Sequence, residues 1–404
     1  MDCENFVKDI QQSNSVTEQI RIIEQYSEFF NENREKLIPL LDKLKPEVYV
    51  IPYAAILKYM FSCKSSNKNI LVEKSNFIFK NVTGSFTRKA HLIVRSLSAE
   101  YVNYLIESNK PRSGIKILLK LISAVQTSKE ILTIYHPDLL QLCLASYYFE
   151  PALDLMSTPV LDFDKNNTQT SKDFLMTFYY LGSIYCALKR YKDALQQFEL
   201  ALLIPAYNPN QLYLSILKKT ILVSIIINGN YECKHHENLI KPYIELVKAF
   251  ESSKRINLEA VILEHQNTFV NDQNFGLVKQ LRVRLIKFEI IRFTKTYLTM
   301  NLTDLASQLG IENLSDLELL LVEMINEREI FAKIDKLNGT INFFDDPEDY
   351  ESSAILLKIN EKISKCIELE KYLKANSDTI LLNPQYISYM HDQESKNSKV
   401  SQVS

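Results

Sequence analysis

The chain has 404 residues, with 47 Lys and Arg against 49 Asp and Glu and a net charge of −2, so no global field draws it to nucleic acid or an anionic membrane. Hydrophobic residues make up 46% and glycine occurs only 7 times, a balance that predicts a mainly α protein with room for more than one domain. The 6 cysteines (Cys3, Cys63, Cys143, Cys186, Cys233, Cys366) form no CxxC pair, which argues against disulfides and for reduced thiols in the cytoplasm and nucleus.

The start of the chain, with Asp2 and Glu4, lacks the basic opening and apolar core of a secretory signal. Apolar runs such as Ile225-Ile226-Ile227 are short and lie close to Lys218 and Lys219, below the roughly 20 residues of a membrane span, so no membrane is expected as a partner. The spacing predicts TPR-like helical repeats over residues 1–195. The clearest unit runs from Phe178 to Pro205: Phe178, Leu181 and Tyr185 sit beside small Gly182, then Tyr191, Ala194, Phe198 and Ala201 follow, with Pro205 closing. Two antiparallel helices approach closely only where Gly or Ala faces a bulky neighbour. Gly114-Ile115 with Leu118, and Ala152-Leu153 with Met156, echo this unit at unequal intervals, and the polar run from Asp164 to Ser171 reads as an intervening loop. The whole of residues 1 to about 290 reads as a right-handed helical solenoid.

Residues 196–348 read as a second domain, helical to about 293 and then a winged helix over 294–346. A helix carrying Leu281, Leu285, Phe288 and Ile291 ends near Phe293, and the β-branched and aromatic stretch from Thr294 to Met300 predicts a strand. Leu302, Leu305, Ala306 and Leu309 make a short helix stopped by Gly310. Ser315 as N-cap, Glu318 completing a capping box and Leu314 stapled to Leu319 predict the next helix, with Leu317, Leu320, Leu321, Met324 and Ile325 as its apolar face. Ile330 to Ile334 and Thr340 to Phe344 flank Asn338-Gly339, a dipeptide suited to a tight hairpin. Residues 349–390 hold a long helix from Ser352 to Asn376, partly heptad-like, and 391–404 form a polar tail expected to be disordered.

The second helix of the winged motif has the wrong charge for DNA, since Asp316, Glu318, Glu323, Glu327 and Glu329 oppose Arg328 alone. Lys279, Arg282, Arg284, Lys287, Arg292 and Lys295 cluster before it, interleaved with Phe288 and Phe293, and read as a solvated helix face over aromatic core positions rather than a nucleic-acid site. Cys233, His235, His236 and, further on, His265 offer metal donors without the second ligand pair of a structural zinc site. His91 and His136 stand alone and read as surface or core histidines. HxH, HExxH, GxSxG, Walker A and GxGxxG are all absent, so no catalytic, cofactor or metal site is assigned. The candidate sites are contact surfaces instead: Ile330, Phe331, Ile334, Ile341 and Phe343 on the hairpin, and Leu356, Ile359, Ile363, Cys366, Ile367 and Leu373 on the last helix. For the last helix, packing against the chain's own winged motif and pairing with partner helices both fit the stripe.

Helical repeats running into a winged helix resemble the PCI module shared by subunits of the proteasome lid, the COP-nine signalosome and the translation initiation factor three complex. The strings Asn274-Phe275-Gly276-Leu277-Val278-Lys279-Gln280, Thr294-Lys295-Thr296-Tyr297-Leu298-Thr299, Ile330-Phe331-Ala332, Lys365-Cys366-Ile367-Glu368-Leu369 and Asn383-Pro384-Gln385 together resemble the signalosome's subunit-three family over most of residues 175–386. That resemblance implies a non-catalytic scaffold in the complex that removes NEDD8 from the cullins of cullin-RING ubiquitin ligases. Winged helices would align edge to edge and C-terminal helices would gather in a bundle. It further implies other PCI and MPN subunits as partners, the cullin-RING ligases reached indirectly, no cofactor, and a catalytic metal held by a different subunit. The alternatives are a PCI protein of another assembly, or a nucleic-acid-binding PCI subunit using Lys279 to Lys295.

Overall fold

The computed structural model describes the chain apart from residues 1–2, 14, 33–36, 38–40, 42–43, 47, 62–67, 83–85, 127, 130, 159, 161, 164–169, 205–209, 232–239, 253, 312, 346–352, 385, 389 and 391–404. Pro205, Cys63, Cys233, His235, His236, the tail and nearly all of the loop from Asp164 to Ser171 therefore lie outside the described residues. Two compact units follow one another, Met1–Glu289 and Ile290–Ser404.

The first unit is helical: α1 (Cys3–Gln12), α2 (Val16–Gln25), α3 (Ser27–Glu32), α4 (Val50–Phe61), α5 (Lys68–Asn81), α6 (Arg88–Glu107) and α7 (Arg112–Val125) come first. The two-residue parallel pair β1 (Ile131–Leu132) and β2 (Asp162–Phe163) brackets α8 (His136–Ser146) and α9 (Glu150–Leu155). Then follow α10 (Ser171–Ala187), α11 (Tyr191–Leu202), α12 (Gln211–Asn228), α13 (Lys241–Glu251), α14 (Arg255–Glu264), α15 (Gln266–Asn271) and α16 (Phe275–Thr294), whose end runs past the unit's limit.

Close approach at small residues is what builds the repeats. A Cβ added to Gly182 would fall 2.5 Å from Phe198 Cε1, so the Phe198 ring lies directly on the α10 backbone. Gly114 is equally crowded, with Leu105 Cδ1 at 2.6 Å and Leu142 Cδ1 at 2.9 Å from its missing Cβ. Thr170 opens α10 with a capping box, its amide donating to the Asp173 carboxylate at 3.0 Å and its hydroxyl accepting from the Asp173 amide at 3.4 Å.

Four of the described turns between these helices are closed without glycine. Asn109, Tyr147, Lys189 and Gln273 hold φ of 56°, 53°, 59° and 56°, and after each the next amide reaches back five residues, as Arg190 N–H does to the Tyr185 carbonyl at 2.9 Å. A side chain in this left-handed region costs about 1–2 kcal/mol, partly balanced by glycine's greater freedom when unfolded. Tyr147→Gly, at an exposed position, should therefore raise stability by up to about 1 kcal/mol; chemical denaturation checks this, and a loss would show that Tyr147 packs usefully.

Helix α12 is long and apolar enough to cross a membrane by length and composition, unlike the short runs expected from the sequence. Here Ile216, Ile221, Leu222, Val223 and Ile225 are buried in core, while Lys218 Nζ meets both Asp272 oxygens at 2.8 Å and Lys219 Nζ donates to Asn274 Oδ1 at 2.9 Å. It reads as a core helix. Burial pushes the Lys219 ammonium pKa down and that of the nearby Cys186 thiol up to about 12.

A buried ion cluster joins α6, α8 and α10. Arg95 Nη1 donates to Asp138 at 2.8 and 2.7 Å, Arg95 Nη2 to Asp173 at 3.5 Å, and the Ser98 hydroxyl donates to Asp138. Burial outweighs these contacts and raises the Asp138 pKa to about 6, while burial lowers that of neighbouring His136 to about 4. The raised Asp138 value contributes stability that is lost as pH rises from about 4 to 6, and the lowered His136 value contributes stability that is lost as pH falls from about 6.5 to 4. The two slopes oppose one another, so their joint contribution is nearly flat across this window. Asp138→Asn should leave stability falling toward acid and His136→Gln should leave it falling toward neutrality; denaturation between pH 4 and 6.5 that gives both variants the same slope would refute the assignment.

The second unit takes in the end of α16, then β3 (Thr299–Asn301), α17 (Leu302–Leu309), α18 (Leu314–Asn326), β4 (Ala332–Asp335), β5 (Thr340–Phe343) and α19 (Ser353–Leu381). The sheet order is β3-β5-β4, antiparallel throughout, with Met300 opposite Ile341 and Ile334 opposite the same residue on the other side. This is the expected winged helix, and Gly310 at φ 60° ends α17 as expected.

Several local expectations are corrected. The strand covers only Thr299–Asn301, because α16 continues to Thr294 and Tyr297 N–H still donates to the Phe293 carbonyl at 2.9 Å. Helix α18 is preceded by Asn313, not capped by Ser315, and the Asn313 side chain donates to the Asp316 carboxylate at 3.2 Å; Leu314 and Leu319 are exposed rather than stapled. The hairpin is not a two-residue turn. Asp335 pairs with Thr340, its carboxylate accepts from the amides of Leu337 at 3.0 Å and Asn338 at 3.3 Å, and only Gly339, at φ 64°, is left-handed. Finally, α19 runs to Leu381, beyond the expected stop at Asn376.

Candidate docking surfaces

The hairpin residues divide by burial. Ile330, Ile341 and Phe343 are buried inside the winged helix, with Met300, Leu302, Leu305, Leu317, Leu321 and Met324 also buried in that unit, and Phe331 and Ile334 are half-buried. Strand alternation explains the split, since Ile341 and Phe343 share one face of β5. What the sheet offers a neighbour is therefore its rim: β3 and β4 are its edge strands, and Leu298, Leu337 and Phe344 are exposed. Leu298 and Phe344 are close in the chain fold, because Phe343 N–H donates to the Leu298 carbonyl at 2.8 Å while Phe344 N–H donates to the Phe331 carbonyl at 2.8 Å. Sequence reasoning missed these rim residues; a hydrophobic residue just outside a strand carries no periodic signal.

The last helix differs from every other long helix of the chain. Leu356, Ile359, Ile363, Cys366, Ile367 and Leu373 are all exposed, and none of the described side chains of α19 is buried. Leu357 and Leu369 are exposed as well. Lys365 and Glu361 pair at 2.7 Å across one turn, a solvent-exposed contact that adds little to the helix. A 29-residue helix exposing this much apolar surface is out of keeping with water alone.

Acidic α18 keeps the charge read from the sequence, with Asp316, Glu323 and Glu327 exposed and Glu318 paired with Lys336 at 3.2 Å. The basic segment before it is largely spent internally. Arg282 pairs with Glu259 at 2.8 Å, Arg284 Nε donates to the Ile226 carbonyl at 2.6 Å and its guanidinium lies over Phe288, Lys279 sits over the Phe275 ring at 4.7 Å, and Lys287 is buried. Lys279 at the start of α16 and Arg292 and Lys295 at its end stay exposed, too few and too spread to track a phosphate backbone.

The described histidines are structural. His91 meets the Tyr135 hydroxyl at 3.1 Å and is buried, His136 accepts from the Thr133 amide at 3.0 Å and is buried, and His265 pairs with Glu245 at 2.7 Å. Among the described residues no cluster of His, Cys, Asp and Glu could hold a metal ion. Of the thiols, Cys143 is buried and free, and Cys366 is exposed on α19.

Comparison with known proteins covers both units. A family model described as COP9 signalosome complex subunit 3, N-terminal helical repeats, matches residues 13–235, and the PCI domain model matches residues 254–345. COP9 signalosome complex subunit 3 of Arabidopsis thaliana is 32% identical over 296 residues, covering 70% of this chain and 68% of that protein. The protein of the same name from Drosophila melanogaster is 31% identical over 314 residues, covering 71% and 70%.

Proposed function

The chain belongs to the COP9 signalosome subunit 3 family, and from that premise we infer that it serves its complex as a scaffold rather than as a catalyst. It is a subunit of the signalosome, a multi-protein assembly, built from helical repeats followed by a PCI domain. The observation that carries the scaffold reading is α19, whose apolar stripe from Leu356 to Leu373 stands exposed along the whole helix. Helices of other PCI and MPN subunits covering that stripe, and a neighbouring sheet or helix meeting the rim of β3 and β4, would make it a joint in the complex that removes NEDD8 from cullins, with the cullin-RING ligases reached indirectly.

A non-catalytic role is supported by the lack of HxH, HExxH, GxSxG, Walker A and GxGxxG motifs in the sequence and, among the described residues, by His91, His136 and His265 being hydrogen-bonded within the chain. Residence in cytoplasm and nucleus belongs to the same reading, and cell fractionation tests it.

Truncation before Ser353 is expected to cut recovery of the chain in the purified native complex at least tenfold while leaving the unfolding transition of the repeats in place. Equal co-migration of the truncated and full chains would sink the idea that α19 is the joint. Nucleic acid binding through Lys279 to Lys295 is disfavoured by the internal pairing of that segment.

A further inference from the structure

Two Asn-Gly dipeptides occur in the chain, Asn228-Gly229 and Asn338-Gly339. This dipeptide has a chemistry of its own. The peptide nitrogen of the glycine attacks the side-chain carbonyl of the asparagine, and the glycine carries no Cβ to obstruct ring closure. In a folded chain the reaction depends on whether that nitrogen is free and whether the backbone around it can turn.

The structure holds the two pairs differently. Asn228 is the last residue of α12, and the Gly229 amide gives its hydrogen to the Ile225 carbonyl at 3.0 Å. A Cβ on Gly229 would meet the Phe288 ring at 3.4 Å, so this backbone is packed as well. Attack there requires breaking a helical bond and lifting the helix end off that ring. Asn338 is instead exposed in the turn between β4 and β5, and among the described residues no group accepts a hydrogen bond from the Gly339 amide. A Cβ on Gly339 would meet nothing within 4 Å, so the glycine side of the turn is open.

The Asn338 amide is also part of how the turn is built. Its Nδ2 donates to Asp335 Oδ2 at 2.9 Å, beside the bonds that the same carboxylate accepts from the Leu337 and Asn338 backbone. These bonds, that of the Asn338 side chain first among them, hold the Asp335 carboxyl below its usual range. One residue on, the Gly339 carbonyl accepts from the Leu302 amide at 2.9 Å, which fastens the turn to the start of α17.

We propose that Asn338 is a site of spontaneous deamidation whose product unfastens this turn from α17. The Gly339 nitrogen bonds to the Asn338 side-chain carbon, and the side-chain nitrogen leaves as ammonia with the proton that the Gly339 nitrogen gives up. Water then opens the cyclic imide at either of its two carbonyl–nitrogen bonds. One opening leaves aspartate; the other leaves isoaspartate, with the main chain rerouted through the former side chain and one carbon longer. Both products replace the amide donor with a carboxylate beside Asp335, so like charges face each other where a hydrogen bond stood. The longer main chain of isoaspartate also displaces the Gly339 carbonyl from the Leu302 amide.

Purified full chain is held at neutral pH and physiological temperature in water enriched in heavy oxygen, then digested at mildly acidic pH and read by mass spectrometry. Heavy-oxygen uptake with isoaspartate at position 338, at least tenfold faster than any conversion of Asn228, is the expected result. In urea strong enough to unfold the chain the two rates should converge, since only the fold separates them. No conversion at Asn338, or conversion no faster than at Asn228 in the folded chain, overturns the proposal. Converted chain, separated by its added negative charge, is then exposed briefly to trypsin in its native state. Cleavage after Lys336, on the same turn, should rise severalfold over unconverted chain; an unchanged rate would sink the unfastening. Asn338→Gln keeps an amide but needs a larger ring, so this variant should neither convert nor become more cleavable with time.

Discussion

Arg95→Ala is expected to lower the stability of the first unit by about 3–5 kcal/mol, enough to unfold a domain of ordinary stability at physiological temperature. The reason is what the arginine leaves behind. Asp138 is almost fully buried, and its side chain has Arg95 and the Ser98 hydroxyl as charge and hydrogen-bond partners. Removing the guanidinium strands a carboxylate in low dielectric, and either the charge is tolerated at high cost or the group takes up a proton. Asp138→Asn removes the buried negative charge itself and should cost less than Arg95→Ala. The double variant Arg95→Met with Asp138→Leu, which replaces the pair by apolar volume, should recover most of the loss. Guanidinium denaturation of the full chain measures all three. A loss below about 1 kcal/mol for Arg95→Ala would mean that water reaches the cluster and that it is not a buried ion pair at all.

The second large effect concerns the α10–α11 pair. Phe198→Ala should cost about 3–5 kcal/mol, since the ring is fully buried and its removal opens a cavity against the Gly182 backbone. Gly182→Ala works from the other side. Alanine favours the helix by about 1 kcal/mol, but its methyl would sit 2.5–2.8 Å from three atoms of a ring that has no free volume to move into. The steric term, about 1–3 kcal/mol, exceeds the propensity gain, so a net loss is expected. The decisive comparison is the pair together: the methyl introduced by Gly182→Ala fits the space vacated by Phe198→Ala, so the double variant should be more stable than the sum of the two single losses predicts. Strict additivity in thermal or chemical unfolding would refute direct contact between the two positions.

These contacts show which parts of the architecture are readable without coordinates. Gly182 and Phe198 stand at helical spacing on either side of a short turn, so their meeting follows from periodicity and size alone. The winged helix was legible for the same reason, from Leu302 to Leu309 with Gly310 behind them and from two β-branched runs around Asn338-Gly339. What stayed hidden depends on competition between equivalent local signals. Asn313 and Ser315 both suit a helix start, and only the backbone shows that the helix begins at Leu314. Turns closed by Asn109, Tyr147, Lys189 and Gln273 carry no glycine to mark them, and their left-handed φ is imposed by the packing of the helices they join. Docking residues were the least legible: the hairpin's Ile330, Ile341 and Phe343 have the same apolar pattern whether they face a neighbour or their own core. The stripe on α19 is legible as a stripe from its heptad-like spacing, but spacing alone fits packing on the chain's own winged helix as well as pairing with partner helices, and only the structure shows it exposed.

The wing and α17 are tied by a bond whose partners are far apart in sequence: the Leu302 amide, one of the donors at the start of α17 without a partner inside the helix, gives its hydrogen to the Gly339 carbonyl at 2.9 Å. That amide is consequently a built-in reporter of wing integrity. In hydrogen exchange its protection can be lost when the wing loop swings away, with α17 itself still folded, whereas the Leu305 and Ala306 amides should hold until the unit opens as a whole. A neighbour clamping the wing would slow the Leu302 amide selectively, so the difference in exchange between free chain and complex reads out docking at the sheet rim without labelling or mutation.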